Sequence, residues 1–218
     1  MGIPDIFISI YFKEFNEMKN AFDKNSLSFK SKYEIRYDLF EDKSKENLIK
    51  ILNFLNENNV LYIFTLRSDN NIELNNVYDT AIKNNAPIID IDINSFNYNR
   101  DTFKNSRLML SYHGNNNDDV IKILNRFIAI NPDIYKIALT YTDNEKFIDD
   151  LDKISRFKSR YKIKIAFIPM GKNNSFLRIV SGGLVSDIVY AKYIENTAPG
   201  QLSVDDYNNM FKTFIKIS

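Results

Sequence analysis

The 218-residue sequence contains no cysteine. Disulfides, thiolate metal sites and a cysteine nucleophile are therefore excluded. It has one histidine, His113, so a metal centre built from several imidazoles is excluded as well. Charge of one sign is also lacking: 29 Lys and Arg against 28 Asp and Glu leave a formal net charge of +1. That balance gives no field for gathering nucleic acid or anionic lipid. An acidic ligand has to be held by a few placed cations. No apolar run approaches the roughly 20 residues needed to cross a bilayer. The opening segment, Met1 to Phe12, carries an acid at Asp5, no basic stretch and no small-residue cleavage site, so it does not read as a signal peptide. The expectation is a cytoplasmic protein with neither a membrane nor a nucleic-acid partner. There is also no Gly/Ser/Pro-rich linker, no internal repeat and no Walker-type loop.

What is present is an ordinary globular composition, 44% hydrophobic and 26% charged. Short apolar runs alternate with longer amphipathic stretches. The runs 6–10, 33–39, 60–66, 87–93, 107–112, 133–139, 163–168 and 184–189 read as strands. Most are too uniformly apolar for a one-sided sheet, which is the signature of parallel strands covered on both faces. Helices are expected over 46–55, with Leu48, Ile49, Leu52 and Leu55 on one face. A second, over 118–130, groups Ile121, Leu124, Phe127 and Ile128. A third, over 145–154, groups Phe147, Ile148, Leu151 and Ile154. A last helix over 203–215 opens with Ser-Val-Asp-Asp, an N-cap followed by acids. Eight strand–helix units in this length predict a single-domain (β/α)8 TIM barrel over residues 1–218. A doubly wound open sheet would carry a Gly-rich turn after its first strand, and Tyr11-Phe12-Lys13-Glu14 has none.

A barrel of this kind builds its active site at the C-terminal ends of its strands. The polar residues there are Glu34, Arg36 and Asp38, then Arg67, Asp90, Asp92, His113, Lys136, Met170, Thr197 and Gln201. Lys136 lies inside an otherwise apolar strand. A lysine there either snorkels outward to solvent or points into the barrel. Inside, burial and cationic neighbours such as Arg178 or Arg36 would lower its pKa from about 10.4 toward 7–8 and free the amine for nucleophilic attack. His113 ends the fifth strand, just before Gly114. It is either a surface loop histidine or a proton shuttle titrating near neutrality. Arg178 is either a solvated helix charge or an anchor for a carboxylate.

At these residues the sequence resembles the type I dehydroquinate dehydratases. Glu34-Ile-Arg36-Tyr-Asp38 is similar to the family's Glu-x-Arg-x-Asp strand, Thr65-Leu-Arg67 to its Thr-x-Arg segment, and Ser111-Tyr-His113 to its Ser-x-His segment. Lys136-Ile-Ala138 matches its Lys-x-Ala strand. Pro169-Met170-Gly171, Arg178 and Ala198-Pro-Gly-Gln201 complete the order. Each motif is short, and their common order and spacing carry the resemblance. It implies that Lys136 forms an imine with the C3 ketone of 3-dehydroquinate, a small-molecule substrate. It implies that His113 moves the C2 proton and delivers one to the departing C1 hydroxyl. Arg178, with Gln201 and Thr197, would bind the substrate carboxylate. Glu34, Arg36 and Arg67 would hold ring hydroxyls, Met170 would pack on the ring, and Ser9 would add a polar group. No cofactor and no metal is needed, because the imine is the electron sink. A homodimer is implied too.

The sequence departs from the family in two places. The family's Glu-Gly-Gly after the third-strand arginine is here Asp69-Asn-Asn-Ile-Glu73, with Asn71 where the histidine-orienting Glu is expected. Either Glu73 or Asp69 substitutes, or His113 is oriented otherwise. Leu177 stands before Arg178 in place of serine, and 171–176 reads as a mobile loop. Two other readings remain. A class I aldolase would use the same lysine with a phosphate cup, to which Gly182-Gly183 could contribute. A non-catalytic barrel would explain the departures but not the retention of both Lys136 and His113.

Overall fold

The computed structural model describes residues 2–68, 70–171, 174–193 and 200–217, with side chains described except at 71–73 and 214–217. Eight parallel strands form one sheet: β1 (Asp5–Ile10), β2 (Lys32–Arg36), β3 (Leu61–Thr65), β4 (Ile88–Asp92), β5 (Arg107–Asn115), β6 (Ile134–Thr140), β7 (Ile165–Met170) and β8 (Ile188–Lys192). Their order is β7-β6-β5-β4-β3-β2-β1-β8, so consecutive strands are neighbours throughout. The helices are α1 (Phe15–Asp23), α2 (Lys45–Glu57), α3 (Asn71–Lys83), α4 (Val120–Ile130), α5 (Asn144–Tyr161), α6 (Ser175–Leu184) and α7 (Val204–Ile217). The fold is the expected (β/α)8 barrel.

The seam between β7 and β8 differs from the other strand pairs. No backbone ladder joins them among the described residues. One backbone bond crosses it, from the Asp187 amide to the Ile165 carbonyl (2.7 Å), and side chains supply the rest. The Ile165 amide donates to the Asp187 carboxylate (2.8 Å) and the Phe167 amide to Ser186 Oγ (2.8 Å). Lys158 Nζ donates to the same carboxylate (2.7 Å). The short residues Ser186 and Asp187, next to β8, thus replace the missing strand bonds.

Strand alternation sets the layers inside the barrel. Phe7, Ile63, Ile88, Met109, Ile134, Ala166 and Ile188 form a buried apolar floor. One inward step toward the strand ends come Ser9, Glu34, Thr65, Asp90, Ser111 and Lys136, all buried. The register places Lys136 beside Ser111 and Asp90 beside both Thr65 and Met109.

Four expectations need correction. The fourth and fifth strands are not joined by an α-helix. A 3-10 turn, Arg100–Phe103, takes its place, and the packed rings of Phe96, Tyr98 and Phe103 cover that side of β4. Ile148 does not face the core: it is 62% exposed, and its place on the buried face of α5 belongs to Asp150, which accepts from Tyr141 Oη (2.8 Å) and Lys146 Nζ. Residues 37–39 turn into a 3-10 segment as the Arg36 guanidinium closes on Asp38. The last strand begins at Ile188, because α6 runs through Gly182-Gly183 to Leu184. A Cβ on Gly182 would lie 2.9 Å from both Phe211 and Val189, so glycine there serves close helix packing. Gly182 and Gly183 instead line a hollow with Gly2 and Asp5, where β1 begins, so they make no phosphate cup at the strand C-termini.

Candidate active site

A cavity of about 280 Å³ opens over the strand C-termini, and Glu34, Arg36, Arg67, His113, Lys136, Met170, Arg178 and Gln201 all line it. Ser9 lies just behind, donating to Glu34 Oε2 (2.6 Å) and accepting from Gln201 Nε2 (3.0 Å). Thr197 lies outside the described residues, as do Lys172 and Asn173 of the expected mobile loop.

Lys136 points inward and is 5% exposed at its side chain. Its ammonium donates to Asp90 Oδ2 (2.7 Å) and Glu34 Oε1 (3.3 Å) and lies 4.4 Å above the ring centre of Tyr190. The neighbours in contact are thus two carboxylates and a ring face. The guanidinium groups expected there are engaged elsewhere: Arg36 makes a two-pronged bond to Asp38 (3.0 and 2.6 Å), and Arg178 packs against Tyr207 of α7. A buried charge needs such compensation, because isolated burial costs several kcal/mol.

Asp90 is fully buried and forms the hub. Its Oδ2 accepts from Lys136 and from Arg67 (2.8 Å), while Oδ1 has no partner among the described residues. Burial alone would raise its pKa. The Arg67 and Lys136 cations overcome this and hold it far below the usual carboxylate range. The same opposition acts on Glu34, where Lys136, Arg36 and the Ser9 hydroxyl outweigh burial. Arg67 also donates to Ser111 Oγ (3.2 Å).

His113 ends β5 at the cavity rim, its side chain 33% exposed. Nδ1 lies 3.3 Å from Asp92 Oδ2. Burial, joined by the Arg67 and Lys136 charges, lowers the imidazole pKa below its ordinary 6.5, against the pull of Asp92 and Asp90. Next to it, Gly114 leaves room for Asp118: a Cβ there would lie 2.1 Å from that carboxylate. Arg178, on α6, is buried, and burial lowers its pKa beyond what Tyr207 and Glu34 restore. Gln201 follows Gly200, whose φ is +73° and where a Cβ would lie 2.6 Å from the Gly171 carbonyl oxygen, so only glycine is accommodated.

Asp90, Asp92 and Tyr190 are the functional positions that sequence reasoning left without a role. The two acids stood out as charges in an apolar strand. Tyr190 gave no signal, reading as one more apolar strand residue. Among the described residues no three His, Asp or Glu side chains are grouped to hold a metal ion.

Comparisons with known proteins agree in direction. Residues 6–217 match the family model described as type I 3-dehydroquinase. A 3-dehydroquinate dehydratase of Thermoplasma volcanium is 38% identical, covering 98% of this chain and 90% of that protein. The crystal structure of the 3-dehydroquinate dehydratase from Geobacillus kaustophilus shares the fold with a TM-score of 0.84 at 17% identity, over 99% of this chain and 92% of the other. A type I 3-dehydroquinate dehydratase from Clostridium difficile gives 0.84 at 16% identity, over 100% and 95%.

Proposed function

This chain belongs to the type I 3-dehydroquinase family and dehydrates 3-dehydroquinate, a hydro-lyase step of the shikimate pathway, and we propose that it does so through an imine on Lys136. The observation that carries this is the inward Lys136 ammonium, lining one cavity with the lone histidine.

In the proposed sequence, Lys136 gives up a proton and its amine adds to the C3 ketone, releasing water. Asp90 and Glu34 are the nearest acceptors for that proton. That proton is handed back to the carbinolamine hydroxyl as it departs as the water, so the resulting iminium again carries one positive charge at the same nitrogen. The carboxylates and the Tyr190 ring that held the ammonium then stabilise the iminium without rearrangement. The iminium withdraws electrons from C2, His113 Nε2 takes the C2 proton, and the C–O bond at C1 breaks. His113 returns a proton to the leaving hydroxyl, and water hydrolyses the imine to 3-dehydroshikimate and free Lys136. Arg178, supported by Gln201 and Thr197, anchors the substrate carboxylate. Arg36, Arg67 and Glu34 hold the ring hydroxyls, Met170 packs on the ring, and Ser9 fixes Glu34. No metal or cofactor takes part in this scheme.

The catalytic unit is the barrel over residues 1–218, acting in the cytoplasm as a homodimer. Family likeness supports the homodimer, and the exposed apolar side chains Ile148, Phe176 and Leu184 offer contact surface for it. No helix among the described residues is long and apolar enough to cross a membrane. Incubation with 3-dehydroquinate and borohydride, followed by peptide mapping, tests the proposal. The expected result is a reduced adduct on Lys136. An adduct on another lysine, or none, overturns it.

A further inference from the structure

We infer that Asp92 is the positioning residue for His113, fixing its tautomer from strand β4. The inference rests on the reading of His113 as the proton-transfer group.

Asp90 and Asp92 are two residues apart on one strand, so both point inward, with Asp92 one layer nearer the rim. Their tasks divide accordingly: Asp90 serves Lys136 and Arg67, and Asp92 serves the imidazole. The Asp92 carboxylate is itself held. Its Oδ1 accepts from the Asn94 amide (2.9 Å), and its carbonyl accepts from the Ser95 amide (3.0 Å), closing a tight turn directly after the strand. Oδ2 is left facing His113 Nδ1. Burial would raise the Asp92 pKa, but the His113 and Asn94 hydrogen bonds and the Arg67 charge keep it below the usual range.

An ionised Asp92 can only accept, so it selects the tautomer with the proton on Nδ1. Nε2 then carries the lone pair, which is the form a general base requires. When Nε2 has taken the substrate proton, the same carboxylate stabilises the imidazolium. That support matters here, because the other groups facing the ring are mixed. Arg67 after β3 and Lys136 on β6 oppose a second positive charge, and among the described residues Asp90 helps Asp92 to balance them. The carboxamide of Asn71, where the sequence pattern led one to expect an acid, carries no charge for this task. An acceptor on the end of a strand is also better fixed than one on a loop.

Four variants decide the matter: Asp92→Asn, Asp92→Ala, Asp92→Glu and Glu73→Gln. Asp92→Asn and Asp92→Ala should lower kcat by about 10–100-fold, the scale of a misoriented catalytic group, with KM little changed. Removing the carboxylate disfavours the imidazolium, so the acidic limb of the kcat/KM profile should move to lower pH. Asp92→Glu should restore part of the rate, and Glu73→Gln should behave as wild type. Borohydride trapping on Lys136 should persist in all four. An unmoved limb with unchanged kcat in Asp92→Asn sinks the inference, as does a limb that moves in Glu73→Gln instead. Loss of trapping in Asp92→Asn overturns it too, by shifting the residue's role to imine formation or the fold. Failure of wild-type enzyme to trap at Lys136 refutes the imine mechanism itself, a separate outcome.

Discussion

Two adjacent layers inside the barrel are built from the same strands and differ by a single inward step. The floor of Phe7, Ile63, Ile88, Met109, Ile134, Ala166 and Ile188 is apolar. The layer above holds Glu34, Asp90 and Lys136 with Ser9, Thr65 and Ser111, equally buried. The floor contributes through area removed from water, about 25 cal/mol per Å². The charged layer contributes little net stability by itself, since the cost of desolvating its ions offsets their attraction. What it contributes is orientation: each charge is pinned by at least two partners. The floor keeps water from beneath the charges and so strengthens their mutual field. Stability is concentrated in one layer and chemistry in the next.

Substitutions can break or sharpen that contrast. The largest effect is expected from Lys136→Met. Turnover should fall on the order of 10⁶-fold, the scale of nucleophile loss. Stability should drop as well, by about 3–5 kcal/mol near neutral pH, because two buried carboxylates lose a cation. The folded-state pKa values of Glu34 and Asp90 are depressed, so the stability they give wild type is full above about 4 and is lost as pH falls through the folded values. Denaturation at several pH values should therefore show the gap between variant and wild type narrowing toward acid. A gap independent of pH would refute the charge account.

His113→Ala comes next, with turnover reduced about 10²–10⁴-fold and trapping on Lys136 retained. Near-normal turnover would remove the imidazole from the reaction. For Arg178→Gln the expected change is a rise in KM of about 10–100-fold, from losing a charged hydrogen-bonding partner worth about 1.5–3 kcal/mol. Steady-state kinetics showing an unchanged KM would exclude it as the carboxylate anchor. The smallest effect belongs to the floor. Ile63→Val should cost about 0.5–1.5 kcal/mol by denaturant unfolding and leave kcat unchanged. A kcat loss there would show that the layers are not separable.

The sequence made the barrel legible through eight apolar runs and a missing Gly-rich turn. It was silent wherever the answer depended on register. Nothing local tells that Asp90 meets Lys136 across β5, because that contact follows from the pairing of Ser111 with Lys136 and Asp92. The Asp92–His113 contact escaped for the same reason. Ile148 was misplaced because hydropathy counts an aspartate as outward, whereas Asp150 fills the core position with its charge satisfied. The helices α1, α3 and α6 hid behind asparagines and a glycine pair, residues with weak helix preference that tertiary packing overrides. The site residues came mostly from the family motifs, which is why the departures at Asn71 and Leu177 marked where those motifs ceased to inform.

The seam between β7 and β8 gives the barrel a built-in point of entry for unfolding. Everywhere else, separating two strands breaks a row of amide bonds at once. Here one backbone bond, from Asp187 to Ile165, and a few side-chain bonds from Ser186, Asp187 and Lys158 hold the cylinder shut, and releasing them turns it into an open, twisted sheet. Deuterium uptake should begin at the Ile165 and Phe167 amides, while β3 to β6 stay protected until the whole chain opens.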